Sequence, residues 1–255
     1  MLPIRHALAW AACVVFSYAA PVEPIIFNDD GGWNWLQDER AVVAGETLVI
    51  ASVAMGSADP NRAGHIEVAT YNFRTRQIGR FTLHEETTPE ARKLWRDDHS
   101  CPALALRPDG RIVALYNRHG KDEKFYYRIT TRPNDASAWS EERGLVLPTG
   151  SRAAFPTLQV LPTQGGAAPR MLAFFRGLHN RSMPSWAESP DGGETWEARN
   201  VFIQLAERIT PYVKYAGDAR GAIHLVFTDG HRVNFHNGVY HAIWRDGRLL
   251  RADGA

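Results

Sequence analysis

The stretch Ser189-Pro190-Asp191-Gly192-Gly193-Glu194-Thr195-Trp196 constrains this chain more than any other segment. It spells S-x-D-x-G-x-T-W, and each fixed position has a physical role in a tight hairpin. A strand ends near Ser189. Gly192 and Gly193 allow the positive-φ turn that a Cβ would disfavour. Asp191 is placed to accept hydrogen bonds from the backbone of its own turn. Trp196 opens the next strand and offers a large apolar face to a core. The motif speaks for short antiparallel strands and says little about chemistry.

The rest of the chain has the same texture. Strand patterns fall at 47–54, 66–72, 78–83, 112–116, 126–131, 158–161, 171–175, 185–189, 212–215, 223–228, 239–245 and 249–251. Turn signals such as Pro108-Asp109-Gly110, Asp229-Gly230 and Asp246-Gly247 separate them. A helical turn or two is expected only around 90–95. One strand type, apolar-x-apolar-apolar-aromatic with a polar tip, recurs at 112–119, 171–179 and 223–231, carrying Tyr116, Phe175 and Phe227. Thr130-Thr131-Arg132-Pro133-Asn134-Asp135, leading to Trp139, reads as a degraded second copy of the hairpin motif. Repeats of this kind, with about four strands each, predict the blades of an all-β propeller. The competing architecture is a β-sandwich. At this repeat length the chain holds four to five blades, so the expectation is an incomplete ring with an exposed blade edge.

Arg5 and His6, an apolar run over 7–16 and the small-residue site Ser17-Tyr18-Ala19 read as an export signal over 1–20, leaving a mature domain at 21–255. The predicted location is secreted or periplasmic. Removal of that segment leaves Cys101 without an intrachain partner. The apolar run is too short to span a bilayer, so no membrane domain is expected. A net charge of +1 argues against nucleic acid or an anionic membrane as partner. Eight Trp, eight Tyr and ten His suit stacking on sugars, although aromatics also fill β cores.

S-x-D-x-G-x-T-W is the signature of the Asp-box. Further segments join it: Gly31-Gly32-Trp33-Asn34-Trp35-Leu36-Gln37-Asp38-Glu39-Arg40, Asp97-Asp98-His99-Ser100-Cys101-Pro102-Ala103-Leu104, Tyr116-Asn117-Arg118-His119, Phe174-Phe175-Arg176-Gly177, Pro211-Tyr212-Val213-Lys214-Tyr215, Phe227-Thr228-Asp229-Gly230-His231 and Asn237-Gly238-Val239-Tyr240-His241. In this order they resemble the BNR-repeat propeller family that includes ulvan-type polysaccharide lyases. The resemblance implies a seven-bladed ring, of which this chain holds four to five blades, and a groove for an acidic polysaccharide. No cofactor is implied for the chemistry.

Elimination at a uronic acid needs a donor to neutralise the carboxylate, a base for the C5 proton and an acid for the departing oxygen. By the resemblance, Arg176 is the carboxylate-binding arginine and His99 and His119 line the groove; arginine binds a carboxylate in two-pronged fashion and imidazole titrates near neutrality. Those three are the catalytic candidates. Tyr212 and Lys214, two residues apart on one strand and so on one face, are substrate-binding candidates together with Tyr240. One departure stands out. Where the family has tyrosine before a proline, this chain has Phe155-Pro156, and phenylalanine has no proton to exchange.

His231 and His241, with His236 between them at even spacing, are candidate ligands of a structural zinc; relatives tether a loop with metal in this area. Asp29, Asp30, Asp38 and Glu39 surround Trp33 and Trp35, which would suit the paired carboxylates of a glycoside hydrolase. The simpler expectation is that both tryptophans pack into the first blade while Asp38 and Arg40 pair locally. The leading function is lyase-like cleavage of an acidic polysaccharide. The alternatives are a non-catalytic glycan-binding propeller and a glycoside hydrolase.

Overall fold

Short strands joined by Gly- and Asp-rich turns can bury themselves only by stacking sheet on sheet, and this chain forms four such sheets with three apolar layers between them. The computed structural model describes residues 23–255 apart from 35–36, 164–166, 181, 205–209, 232 and 234–235. The expected export signal at 1–20 lies outside the described residues. The first sheet holds β1 (Gly31–Gly32), β2 (Ala41–Ala44), β3 (Thr47–Ala54), β4 (Ile66–Asn72) and β5 (Ile78–His84). The second holds β6 (Ala103–Leu106), β7 (Ile112–Tyr116), β8 (Lys124–Arg132), β9 (Asp135–Trp139) and β10 (Arg143–Val146). The third holds β11 (Ala154–Val160), β12 (Met171–Arg176), β13 (Pro184–Ser189) and β14 (Glu197–Val201). The fourth holds β15 (Val213–Gly217), β16 (Ile223–Thr228), β17 (Val239–Arg245) and β18 (Arg248–Leu250). All pairings are antiparallel; sequential strands are neighbours throughout the third and fourth sheets, whereas β1 and β2 both pair with β3 in the first and β9 and β10 both pair with β8 in the second.

The sheets pack in chain order as the blades of a propeller, with one apolar layer between each pair. Val49, Val53 and Leu83 of the first sheet meet Leu104 and Tyr116 of the second. Val113, Leu115 and Phe125 of the second meet Met171 and Phe175 of the third. Leu172, Phe174 and Trp186 of the third meet Leu225 and Trp244 of the fourth. The three recurring aromatics seen in the sequence occupy equivalent places. Tyr116, Phe175 and Phe227 lie on the second strand of their sheets and face the preceding blade. Tyr116 and Phe175 are buried, which contributes roughly 2–3 kcal/mol each. The polar tips match too: His119 and His179 each donate a backbone N–H to a serine of the preceding loop, Ser100 and Ser151.

The hairpin motif closes as its residue types require. Gly193 donates to Ser189 Oγ, Thr195 N–H and Oγ1–H donate to the Asp191 carboxylate, and Trp196 Nε1–H donates to the Gly193 carbonyl. Glu194, a variable position of the motif, adds a link between blades. Its carboxylate accepts from Arg107 and Arg143 of the second sheet, and its carbonyl accepts from Tyr127. The helix expected near 90–95 is α1 (Pro89–Trp95), capped by Thr88. The sequence pattern missed β1, β2, β6, β9, β10 and β14. None exceeds five residues, too short to display an alternation.

Candidate functional site

One end of the propeller gathers side chains from all four sheets around a single ring, that of Phe155. The local backbone explains why. Between Ala154 and Thr157 the β11–β12 register slips, and Phe155 takes a positive φ of 57°. Proline at position 156 cannot donate to a ladder, so a bulge forms there and turns the phenyl ring out of its sheet. A bulky residue rarely adopts such a φ, and such strain gathers at functional sites. Gly177 makes the approach feasible from the neighbouring strand. Its φ is 106°, and a Cβ there would lie 1.8 Å from the Arg152 carbonyl oxygen.

His99 and His119 stack on each other with ring centroids 4.4 Å apart, and each also contacts Phe155, at 5.2 and 5.0 Å. His99 follows α1 in the β5–β6 connection, and His119 follows β7. Asp97 lies between them. Its Oδ1 is 2.8 Å from His99 Nδ1, and its Oδ2 is 3.1 Å from His119 Nδ1. A second carboxylate, Asp98, lies 2.6 Å from His99 Nδ1. The carboxylates assign the proton of each ring to Nδ1. His119 Nε2 then has no hydrogen bond among the described residues, whereas His99 Nε2 lies 2.9 Å from Asn34 Nδ2. Burial lowers the His119 pKa, and the nearby His99 and Arg176 lower it further against the pull of Asp97. Asp97 is held below the usual carboxylate range: burial raises it, but hydrogen bonds from the His99 backbone, His119 and the His99 ring outweigh that. A neutral His119 with an open Nε2 has the form of a base.

Arg176 ends β12 on the other side of Phe155. Its guanidinium lies between two rings, 4.3 Å from the Phe155 centroid and 4.8 Å from that of Tyr212. Such stacking holds the planar group without using its donors. Its buried Nη1 makes no hydrogen bond among the described residues, and with Phe155, Tyr212 and Gln37 it lines a cavity of about 30 Å³. A buried guanidinium nitrogen with an unused donor is costly unless an acceptor arrives.

The segment entering β2 crosses this same end. Gln37 donates to the His99 carbonyl, and Arg40 donates to the carbonyls of Pro102 and Pro156. Asp38 pairs with Lys214, joining the first sheet to the fourth. The expected local Asp38–Arg40 pair does not form among the described residues: Arg40 is buried and donates to the Pro102 and Pro156 carbonyls, while Asp38 pairs with Lys214. The expected packing of Trp33 does not hold either. That side chain, just beyond β1, is 56% exposed. Trp35 lies outside the described residues.

The structure thus brings His99, His119, Arg176 and Tyr212 together, and His231 joins at the edge, 5.7 Å from Tyr212. Lys214 is engaged with Asp38, and Tyr240 stacks on Phe227 and donates to Asp229. Tyr240 makes no contact with the Phe155 group among the described residues. The two zinc candidates separate: His241 pairs with His224 at 3.1 Å, while His231 stays beside Tyr212. Atoms of Asp97, His99 and His119 lie within 4.8 Å of one another. Both Nδ1 atoms there already face carboxylate oxygens, so the group is a hydrogen-bonded cluster. Cys101, buried below, is no nucleophile, since burial pushes its thiol up to about 12.

Residues 52–255 match the model of the BNR repeat-containing family. Among solved structures, a PL25 ulvan lyase bound to a repeat of glucuronic acid and sulfated rhamnose aligns with a TM-score of 0.64 at 17% identity, over 89% of this chain and 57% of that one. The Penicillium chrysogenum α-L-arabinanase in complex with arabinobiose aligns with a TM-score of 0.52 at 10% identity, over 85% and 67%. A GH43 β-1,3-galactosidase aligns with a TM-score of 0.50 at 14% identity, over 83% and 44%. These likenesses show the propeller fold shared with carbohydrate-active enzymes. The chain spans 57% of the length of the ulvan lyase it matches. Comparison of the sequence with curated proteins finds no match.

Proposed function

We propose that this chain, which belongs to the BNR repeat-containing family, receives an acidic polysaccharide over Phe155 and cleaves it at a uronate by β-elimination. The observation that carries this reading is the convergence of one guanidinium and two imidazoles on a single ring. Arg176, held flat by Phe155 and Tyr212, receives the uronate carboxylate and draws off its charge, which acidifies the adjacent C5 proton. His119 Nε2 takes that proton. The electron pair left on C5 closes a C4–C5 double bond as the bond from C4 to the glycosidic oxygen breaks. His119 returns its proton to that oxygen, so the step needs no oxidant and no water. His99 and Asp97 fix the ring of His119 by stacking and hydrogen bonding. Further support comes from the solved lyase of like fold, which holds a glucuronate-containing ligand.

The test is incubation with a panel of uronate polysaccharides while following the ultraviolet absorbance of the conjugated double bond. Absorbance that appears with the native chain and disappears with His119→Ala is the expected result. New reducing ends without that absorbance would mean hydrolysis and overturn the elimination. Phe155 favours a second reading, since the ring at the centre of the site has no hydroxyl. On that reading the same groups bind the polymer without cutting it, and the assay shows saturable binding with neither product.

A further inference from the structure

The stretch from Asn34 to Arg40 reaches the site from outside the strands that carry its chemistry. Asn34 is buried, and its side-chain Nδ2 lies 2.9 Å from His99 Nε2. Gln37, also buried, fastens the same stretch to the His99 carbonyl at 3.1 Å. The opposite nitrogen of that imidazole faces two carboxylates, Asp97 at 2.8 Å and Asp98 at 2.6 Å. Carboxylates only accept, so Nδ1 carries the proton. A neutral ring with Nδ1–H presents Nε2 as an acceptor, and the Asn34 amide supplies the matching donor. His119, Asp97, Asp98 and Arg176 are the charged and titratable groups around this ring pair.

We propose that Asn34, anchored through Gln37, is a positioning residue that caps Nε2 of His99, whose Nδ1–H the two carboxylates hold, so that His119 alone exchanges a proton with bound sugar. This rests on the elimination reading above. Two stacked imidazoles would otherwise share the task poorly, because either could take the proton and the pair would lose its orientation. With Nε2 capped, His99 becomes a fixed wall against which His119 stacks.

The experiment is nitrogen NMR of isotope-labelled histidine in the full chain, beside steady-state kinetics on a polysaccharide that it cleaves. In the native chain His99 shows a protonated Nδ1 and a hydrogen-bonded, unprotonated Nε2. In Asn34→Ala Nδ1 stays protonated against the carboxylates, and the Nε2 resonance moves to that of an acceptor without a hydrogen bond. Asn34→Asp keeps the shape but cannot donate, and His99 Nε2 becomes protonated. Turnover falls by roughly ten- to a hundredfold, the usual cost of losing a group that orients a histidine, while KM stays the same. An unchanged nitrogen pattern in both variants overturns the proposal, as does a raised KM with unchanged kcat. The NMR result stands even if no polysaccharide is cut, so failure of the elimination reading is told apart from failure of this one.

Discussion

His84 and His119 occupy similar company. Each touches a carboxylate, each stacks against aromatic rings, and each lies in a seam between structural elements. His84 at the end of β5 packs 4.2 Å from Trp95 and 5.3 Å from Tyr126, with Nδ1 at 2.8 Å from Glu142 and Nε2 at 3.3 Å from Glu86. Both of its nitrogens are occupied, and Tyr116 also donates to Glu142. His119 has a partner on Nδ1 alone. The first histidine joins the first blade to the second and has nothing left to offer. The second keeps one nitrogen for chemistry. Residue type and neighbours do not distinguish these two histidines; the count of unused valences does, and on the elimination proposed above that count marks His119 as the base.

The comparison can be broken by exchanging losses. His119→Ala should lower turnover by roughly a hundredfold or more, the lower end of what a general base contributes, with the melting temperature almost unchanged. A variant that keeps full turnover would return His119 to the structural class. His84→Ala should do the reverse. It takes one partner each from Glu142 and Glu86, which keep Tyr116 and Trp95 as donors, and opens a gap against Trp95. The loss should cost about 2 kcal/mol of stability, measured by denaturant unfolding, while kcat stays within error. Loss of activity at native stability would show that His84 reaches the site.

Two further measurements sharpen the contrast. Arg176→Lys keeps the charge but loses the planar fork and its stacking on Phe155 and Tyr212, so affinity for an oligouronate should fall about tenfold. Binding that is unaffected would remove Arg176 from the carboxylate site. The pH profile gives the smallest effect and the most specific one. Burial holds His119 below the ordinary histidine range, and the base is the deprotonated form. The rate should rise as pH climbs through that lowered value and stay level through neutrality. An acid limb at or above neutral pH would contradict the assignment.

The parts of the fold visible in the sequence are those that repeat. The Ser189–Trp196 hairpin and the second strands at 112–116, 171–175 and 223–228 carry side chains that each blade needs, so their spacing betrays them. His119 and Arg176 lie at the ends of such strands, and His99 lies in the Asp97–Leu104 segment that resembles the family, so all three were legible. Phe155 as the hub was not, because its direction comes from a one-residue slip in register that only strand pairing defines. Pro156 within a strand was the available signal. Asn34 and Gln37 act across 65 and 62 residues of chain, and the Lys214–Asp38 pair across 176, distances at which local pattern carries no information. The even spacing of His231, His236 and His241 says little about where these side chains end up in space. Regular intervals in a chain that turns between strands send side chains to different neighbours, as His241 finding His224 illustrates.

Each of the four sheets lends its own loop to the ring around Phe155, and no single sheet brings more than a part. On the elimination proposed above, activity would gauge the integrity of the whole arc. Loosening any one blade under mild heat or denaturant should silence the cleft while the remaining sheets, each still hydrogen-bonded within itself, keep their circular dichroism. Activity and sheet content should part company on melting, with activity going first.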